Sequence, residues 1–317
     1  MIYRGFAAID YLGTQLLEED PGESSHWMKY HSLFKFSGDS FSGLQGFGGN
    51  GARWHTPFHR LLQRPFRKMG KNFTHFKDAD KRASLITGLQ RRAYDIDVLR
   101  QTLTVAFLRE RIPAVLNASS MGCVIGDGFA STTSVLIGTH SAECVVAVNL
   151  TKTLLVDLWF LKKLVDGSNF DSQVRLVTDE VSLFEVLEEQ SSVTSQVKII
   201  AIQAKDQHLI TKCPIDYAIN IASMQEMDPP VIEKYFNDLR SVAVNKEIHF
   251  YCANREEKFL PDGTLTRFSD YPWSSKDEIK VDELCPWHQL TYSYKPPFYR
   301  PLDGPIRHRL VKLAPQR

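Results

Sequence analysis

Val124-Ile125-Gly126-Asp127-Gly128-Phe129-Ala130 is the stretch that decides the fold. An apolar run breaks into two glycines, and Ser131-Thr132-Thr133-Ser134 follow as small residues that open a helix. Glycine at such a break lets backbone approach a ligand closely, and the first turn of a helix offers unpaired N–H groups. Working outward, Gly122–Gly126 and Cys144–Leu150 (CVVAVNL) read as buried parallel strands, because such strands are continuous apolar runs. Thr151–Val165 reads as a helix buried on a broad face, and Val197–Ile202 and Ile215–Ala222 as further strands. Pro229–Val244 is helical with Pro230 near its first turn, Ile248–Ala253 is a strand, and Arg309–Leu313 is a last one. Strands alternating with helices predict an α/β fold: a doubly wound, Rossmann-like, mostly parallel sheet with helices on both faces. Ligands of such a sheet sit at the carboxyl ends of its strands, which makes Gly126, Asp127 and Gly128 the first candidate binding residues.

The first hundred residues differ in texture. Phe34–Gly51 (FKFSGDSFSGLQGFGGNG) has neither helical nor strand period and reads as a long loop or lid. Arg53–Lys71 is basic, with no carboxylate. From Ser84 to Arg109 the spacing of Leu85, Leu89, Leu99, Leu103 and Phe107 predicts helix. Residues 1–109 are thus expected to form a mainly helical N-terminal region before a second unit at 110–317. Val174–Gln190 fits neither period.

Composition excludes several classes. Among 317 residues, 38 Lys+Arg balance 37 Asp+Glu, which argues against a general nucleic-acid binder. No apolar stretch approaches the ~20 residues of a membrane span, and Asp10 interrupts the N-terminus before a signal-peptide core is complete. The five cysteines are odd in number and widely spaced, and no CxxC or Cys/His pair among them suggests a zinc site or a disulfide framework, so the expectation is a reduced, cytoplasmic chain with no membrane partner. A homo-oligomer is left open.

The glycine turn narrows the ligand. A dinucleotide fingerprint G-x-G-x-x-G needs Gly or Ala where Ser131 stands. The spacing G-x-G-x-A fits better with a ligand that carries no phosphate, S-adenosylmethionine for example. Asn149 lies 21 residues after Gly128, near the ~20-residue spacing of a ribose-contacting side chain. It reads equally as a cap for the helix beginning at Thr151. If it holds a ribose, an aspartate there should serve as well or better.

Asn220-Ile221-Ala222-Ser223-Met224-Gln225-Glu226-Met227 with Tyr235-Phe236, Phe250–Arg255, Asp270-Tyr271-Pro272-Trp273 and Asp303-Gly304-Pro305 carry a resemblance. From Gly122 to Leu313 the chain resembles a family of sugar O-methyltransferases, class I S-adenosylmethionine-dependent enzymes. Val124 stands where such enzymes often carry an acid, and Asn149 where they carry Asp or Glu. The resemblance implies methyl transfer to a hydroxyl of a sugar or glycosylated metabolite, with Gly126, Asp127, Gly128, Asn149, Gln203 and Ser223 toward the cofactor. A nucleotide-dependent oxidoreductase using NAD(P) and a non-catalytic binding module are the alternatives.

Glu226, His288 and His208 are candidate bases for the acceptor hydroxyl, each with a structural reading beside it. Glu226, Asp282 and Glu283 offer hard oxygen ligands for magnesium, but their spacing does not demand a metal. Trp273 and the C-terminal aromatics suit stacking on a sugar ring as well as loop packing. Arg60 and Arg64 are expected one turn apart on one helical face, closing over the site to pair with an anionic acceptor, against the plainer reading of a solvated basic run.

Overall fold

The computed structural model describes residues 1–18, 20–38, 40–44 and 51–315. Nine strands form one sheet: β1 (Ile2–Arg4), β2 (Met121–Ile125), β3 (Cys144–Asn149), β4 (Val174–Val177), β5 (Ile199–Gln203), β6 (Tyr217–Ile221), β7 (His249–Arg255), β8 (Glu278–Leu284) and β9 (Ile306–Lys312). Their order is β1-β4-β5-β3-β2-β6-β7-β9-β8. The six from β4 to β7 are parallel, while β1, β9 and β8 pair antiparallel. Chain order reverses at β2, which has β3 on one side and β6 on the other. That is the topological switch point, where an open α/β sheet leaves a crevice.

Alternation along the strands makes two cores. Val124, Val145, Ala147, Ala201 and Ile219 face one layer. This layer holds α1 (Gly5–Thr14), α2 (Phe76–Leu89), α3 (Ile96–Arg111), α4 (Ser131–Gly138) and α5 (Thr151–Leu161). Cys123, Ile125, Val146, Ile202 and Ala218 face the other, which contains α6 (Glu180–Ser191) and α7 (Pro229–Val242). All five cysteines are free and buried. Among the described residues no helix is long and apolar enough to cross a membrane.

Several expectations change. Val174–Gln190 resolves into β4 and α6. The helical stretch from Ser84 to Arg109 is two helices, α2 and α3, broken between Leu89 and Ile96. Leu85 and Leu89 are exposed, so the apolar spacing there did not mark a buried face. Lys35–Phe36 and Phe41–Ser42 form a small hairpin within the stretch read as a loop; Gln45–Asn50 of that stretch lie outside the described residues. Pro65 separates helix Thr56–Leu62 from helix Arg64–Gly70, so Arg60 and Arg64 do not share a helix. The edge strands β1 and β8 have no counterpart in the sequence reading.

Asp95 caps α3, with Oδ1 accepting from Asp97 N and Val98 N, both at 3.1 Å. Its Oδ2 is buried without a hydrogen-bond partner among the described residues. Burial, then neighbouring Asp97, raises its pKa from 3.8 to about 7. The folded chain therefore holds this proton where the unfolded chain has released it, and the contribution to stability falls as pH rises from about 4 to about 7. Asn keeps the capping acceptor without the charge. Thermal melts from pH 4 to 8 should show Asp95→Asn gaining on the wild type with pH and exceeding it at pH 8; a constant difference would refute this account.

Candidate functional site

At the switch point a cavity of about 670 Å³ opens outside the carboxyl ends of β2, β3 and β6. Its size falls within the ~300–1,000 Å³ of small-molecule sites. Gly126, Asp127, Gly128 and Asn149 line one part of it, and Ser223 and Glu226 another. Pro21, Gly22, Ser24 and Trp27 close it from the N-terminal side. Two contacts hold that N-terminal segment down. Asp20 accepts from Thr151 N (2.8 Å) and Oγ1 (2.6 Å), capping α5, and Ser24 Oγ donates to Glu226 O.

The glycine turn is tightly wound. Gly126, Phe129 and Ala130 have φ of 71°, 60° and 50°, a left-handed run that non-glycine residues rarely adopt. A Cβ on Gly126 would collide with Ser223 Oγ. The turn also consumes the donors at the start of α4. Ala130 N donates to Asp157 Oδ1 (2.8 Å) and Ser131 N to Gly128 O (3.3 Å). Thr132 N (3.2 Å) and Thr133 N (2.8 Å) donate to the Asp127 carboxylate, as does Gly128 N (2.9 Å). The anion site that a helix N-terminus normally offers is thus filled by the chain's own carboxylates.

Asn149 knits this turn to α5. Its Nδ2 donates to Asp127 O (2.8 Å) and Asp157 Oδ2 (2.9 Å), while Oδ1 accepts from Leu150 N (3.1 Å). Burial raises the pKa of both Asp127 and Asp157, further for Asp157 because Asp127 is near. Arg92 supplies positive charge, its guanidinium stacked 3.7 Å from the Phe129 ring centroid and Nη1 3.4 Å from Ser131 Oγ. Sequence reading missed Asp157 and Arg92; the lone carboxylate within the apolar run TKTLLVDLWFL was the signal for the first.

On the other side of β2, side-chain amides bind the strand ends together. Asn220 Nδ2 donates to Ile125 O (2.9 Å) and to Ser223 Oγ, while Oδ1 accepts from Met224 N (3.2 Å) and Asn254 Nδ2 (2.8 Å). Asn254 Oδ1 accepts from Gln225 N (3.0 Å), and Gln225 Oε1 from Arg255 N (2.7 Å). Ser223 Oγ also donates to Ile125 O (3.1 Å).

The proposed site residues therefore divide. Gly126, Asp127, Gly128, Asn149, Ser223, Glu226 and His288 all line the cavity. Glu226 lies 2.7 Å from Lys258 Nζ and 3.3 Å from His26 Nε2. Burial alone would raise its pKa, but His26 and Lys258 outweigh it and hold the carboxyl below its ordinary value. His288 is buried, with Nδ1 3.1 Å from Cys285 Sγ. Burial, with Arg100 and His308 nearby, pushes its pKa well down, so the ring is neutral at pH 7.

The remaining candidates lie elsewhere. Gln203 is fully buried beside the rim, where Nε2 donates to Thr151 Oγ1 (2.7 Å). His208 is exposed on the helical segment Ala204–Lys212. Trp273 is half-buried, packs edge-on against Phe236 and donates to Phe268 O (2.9 Å), lying against the core beside α7 and away from the cavity. Arg60 donates to Ser84 Oγ (3.1 Å) in a different cleft, and Arg64 is exposed. Asp282 pairs with Arg307 (3.0 Å) and Arg309 (2.6 Å), and Glu283 with His308 (3.5 Å), so the structure does not bring them to Glu226 as a metal-ligand set. No group of three metal-ligating side chains occurs among the described residues.

The geometry reverses the expectation that Asp would serve at 149, since its carboxylate would face Asp157 and the Asp127 carbonyl. Asn149→Asp should cost about 2–4 kcal/mol, from two lost hydrogen bonds and added like charge, and Asn149→Ala less. Urea unfolding at pH 8 measures both, and a wild-type-like Asn149→Asp would contradict the bonding described.

No family model matches the chain, and no curated protein does. Among solved structures, M. capricolum TrmK in complex with S-adenosyl-homocysteine is 12% identical, over 65% of this chain and 67% of that one, with a TM-score of 0.35. MtNAS in complex with MTA and tNA is 12% identical over 97% of both chains, with a TM-score of 0.36. The mitomycin 7-O-methyltransferase MmcR is 10% identical over 68% of this chain and 57% of that one, with a TM-score of 0.34. Likenesses this faint carry no argument about activity; the α/β fold with its large, mostly parallel sheet stands on the strand order itself.

Proposed function

We propose that the chain is an S-adenosylmethionine-dependent methyltransferase acting on a hydroxyl of a sugar or glycosylated metabolite. The observation that carries this reading is the filled helix start: Asp127 and Asp157 occupy the N–H groups that a pyrophosphate would need. A small-molecule cavity at a switch point without a phosphate cradle suits a nucleoside ligand lacking phosphate. It disfavours NAD(P) for the same reason. The sequence block Asn220–Met227 supports the sugar acceptor through its resemblance.

When bound, S-adenosylmethionine would supply an electrophilic methyl group on a sulfonium. The turn Gly126–Gly128, kept in shape by Asn149, would hold the nucleoside part, and the rim beyond β6 and β7 would hold the acceptor. Positioning can account for most of the rate, with a base needed only to take the hydroxyl proton as attack develops. His288 is placed for that task, because it lines the cavity with its ring unprotonated at pH 7, while the burial that lowers its pKa also weakens it as a base. Glu226 suits it less, because its charge is already answered by Lys258 and His26.

Calorimetry should detect binding of S-adenosylhomocysteine and none of NADH, and the reverse result would overturn the reading. With an acceptor in hand, His288→Asn should lower kcat by about 10²–10⁴, with S-adenosylhomocysteine affinity unchanged, and Glu226→Gln should lower it less. Equal losses in both variants would shift the base assignment away from His288.

A further inference from the structure

The cavity continues past the ends of β6 and β7 toward a more open groove of about 590 Å³, lined by His26, Lys29, Tyr30 and Phe259. Glu226 and Arg255 line both spaces and so stand at their junction. Glu226 is bonded there by Lys258 Nζ at 2.7 Å, with His26 Nε2 3.3 Å away. Arg255 is less fully paired. Its Nη1 lies 3.4 Å from Asp303 Oδ2, a side chain 97% exposed, and its Nε is buried without a hydrogen-bond partner among the described residues. The side chain is nonetheless held in place. Gln225 Oε1 accepts from Arg255 N (2.7 Å), and Gly304 packs so closely that a Cβ there would lie 3.3 Å from Arg255 Cδ. A second unspent group faces the same cavity from α3: Gln101 lines it, and its Oε1 is buried without a partner among the described residues.

Buried polar atoms in folded chains are nearly always paired, so two orphans on the wall of one cavity mark where a ligand is expected. One is a donor on a permanent cation and the other a neutral acceptor. Their complement is a molecule with an anionic oxygen and a hydroxyl. We propose that Arg255 and Gln101 form an acceptor subsite for an anionic sugar, Arg255 binding its carboxylate or phosphate and Gln101 accepting from one of its hydroxyls. Exposed Lys29 in the adjoining groove adds attraction of the same sign. The proposal rests on the sugar-acceptor reading above and supplies the charge of the acceptor.

Ligand-observed NMR titrations with glucuronate, glucose 6-phosphate and glucose, in the absence of cofactor and at low ionic strength, test it directly. The wild type should prefer at least one of the two anions over glucose by about tenfold or more, and which one identifies carboxylate or phosphate. Arg255→Gln should remove that preference and Arg255→Lys restore part of it, while Gln101→Leu should weaken all sugars and keep the preference. Melting curves exclude any unfolded variant. No preference in the wild type, or one that survives in folded Arg255→Gln, overturns the subsite. Titrating S-adenosylhomocysteine into the same samples separates the two claims: if it fails to bind, the methyltransferase reading falls while the sugar arms still decide the subsite.

Discussion

The β6–β7 side of the cavity is positioned by one buried side chain, the Asn220 amide. It donates to Ile125 O at the end of β2, accepts from Asn254 at the end of β7, and sits on β6 between them. Where the strands end, their ladder stops and the backbone needs other partners. Asn220 is that partner for two groups, Ile125 O and Met224 N, and ties β7 in through the Asn254 side chain. The chain of contacts runs on through Asn254 and Gln225 to the Arg255 backbone, and through Ser223 back to the glycine turn. The cavity floor is therefore rigid on the β6–β7 side, and its mouth is framed by the segment that Asp20 and Ser24 pin down.

The same logic explains the strained turn on the other side of β2. Left-handed Phe129 and Ala130 are unfavourable in isolation and persist only where the surroundings fix them. Here Asp127, Asp157 and Asn149 together satisfy the freed backbone groups. Cofactor-type glycine turns are usually interpreted through their glycines, but in this chain the polar residues around them decide what the turn has left to offer a ligand.

How much of this was legible in the sequence follows from burial. The central strands could be read because both of their faces are covered, so MGCVI and CVVAVN are unbroken apolar runs. Strand β8 (EIKVDEL) is an edge, charged and largely exposed, and carries no such signal. Leu85 and Leu89 kept helical spacing without a core to face. The strand Ile215–Ala222 could be read, and with it the position of Ser223–Met227 just past its carboxyl end, but sequence could not tell that the Asn220 and Gln225 amides bind strand ends or that Glu226 pairs with Lys258. Trp273 reads in sequence as sugar platform or packing alike, and only Phe236, Phe250 and Tyr271 around it place it, half-buried, against the core. Gln101, whose role depends on a cavity built from remote parts of the chain, had no local signature, whereas Asp157 showed only as a lone carboxylate in an apolar run.

The charges around the cavity form a pattern that neither half has alone. A bare helix start carries about half a positive charge. Asp127, accepting three N–H groups there, contributes a full negative charge when ionised, and Asp157 lies behind it, so the potential at the glycine turn does not favour an anion. At the far junction the sign is reversed: Lys258 cancels Glu226, leaving Arg255 with a donor unspent. The proposed cationic donor and anionic sugar would each meet its complement at opposite ends. The two ligands would then attract one another across the space between, and in a partly desolvated cavity that attraction is far stronger than in water. Orientation would follow from charge before any hydroxyl was recognised, which is the arrangement a displacement between two small molecules most needs.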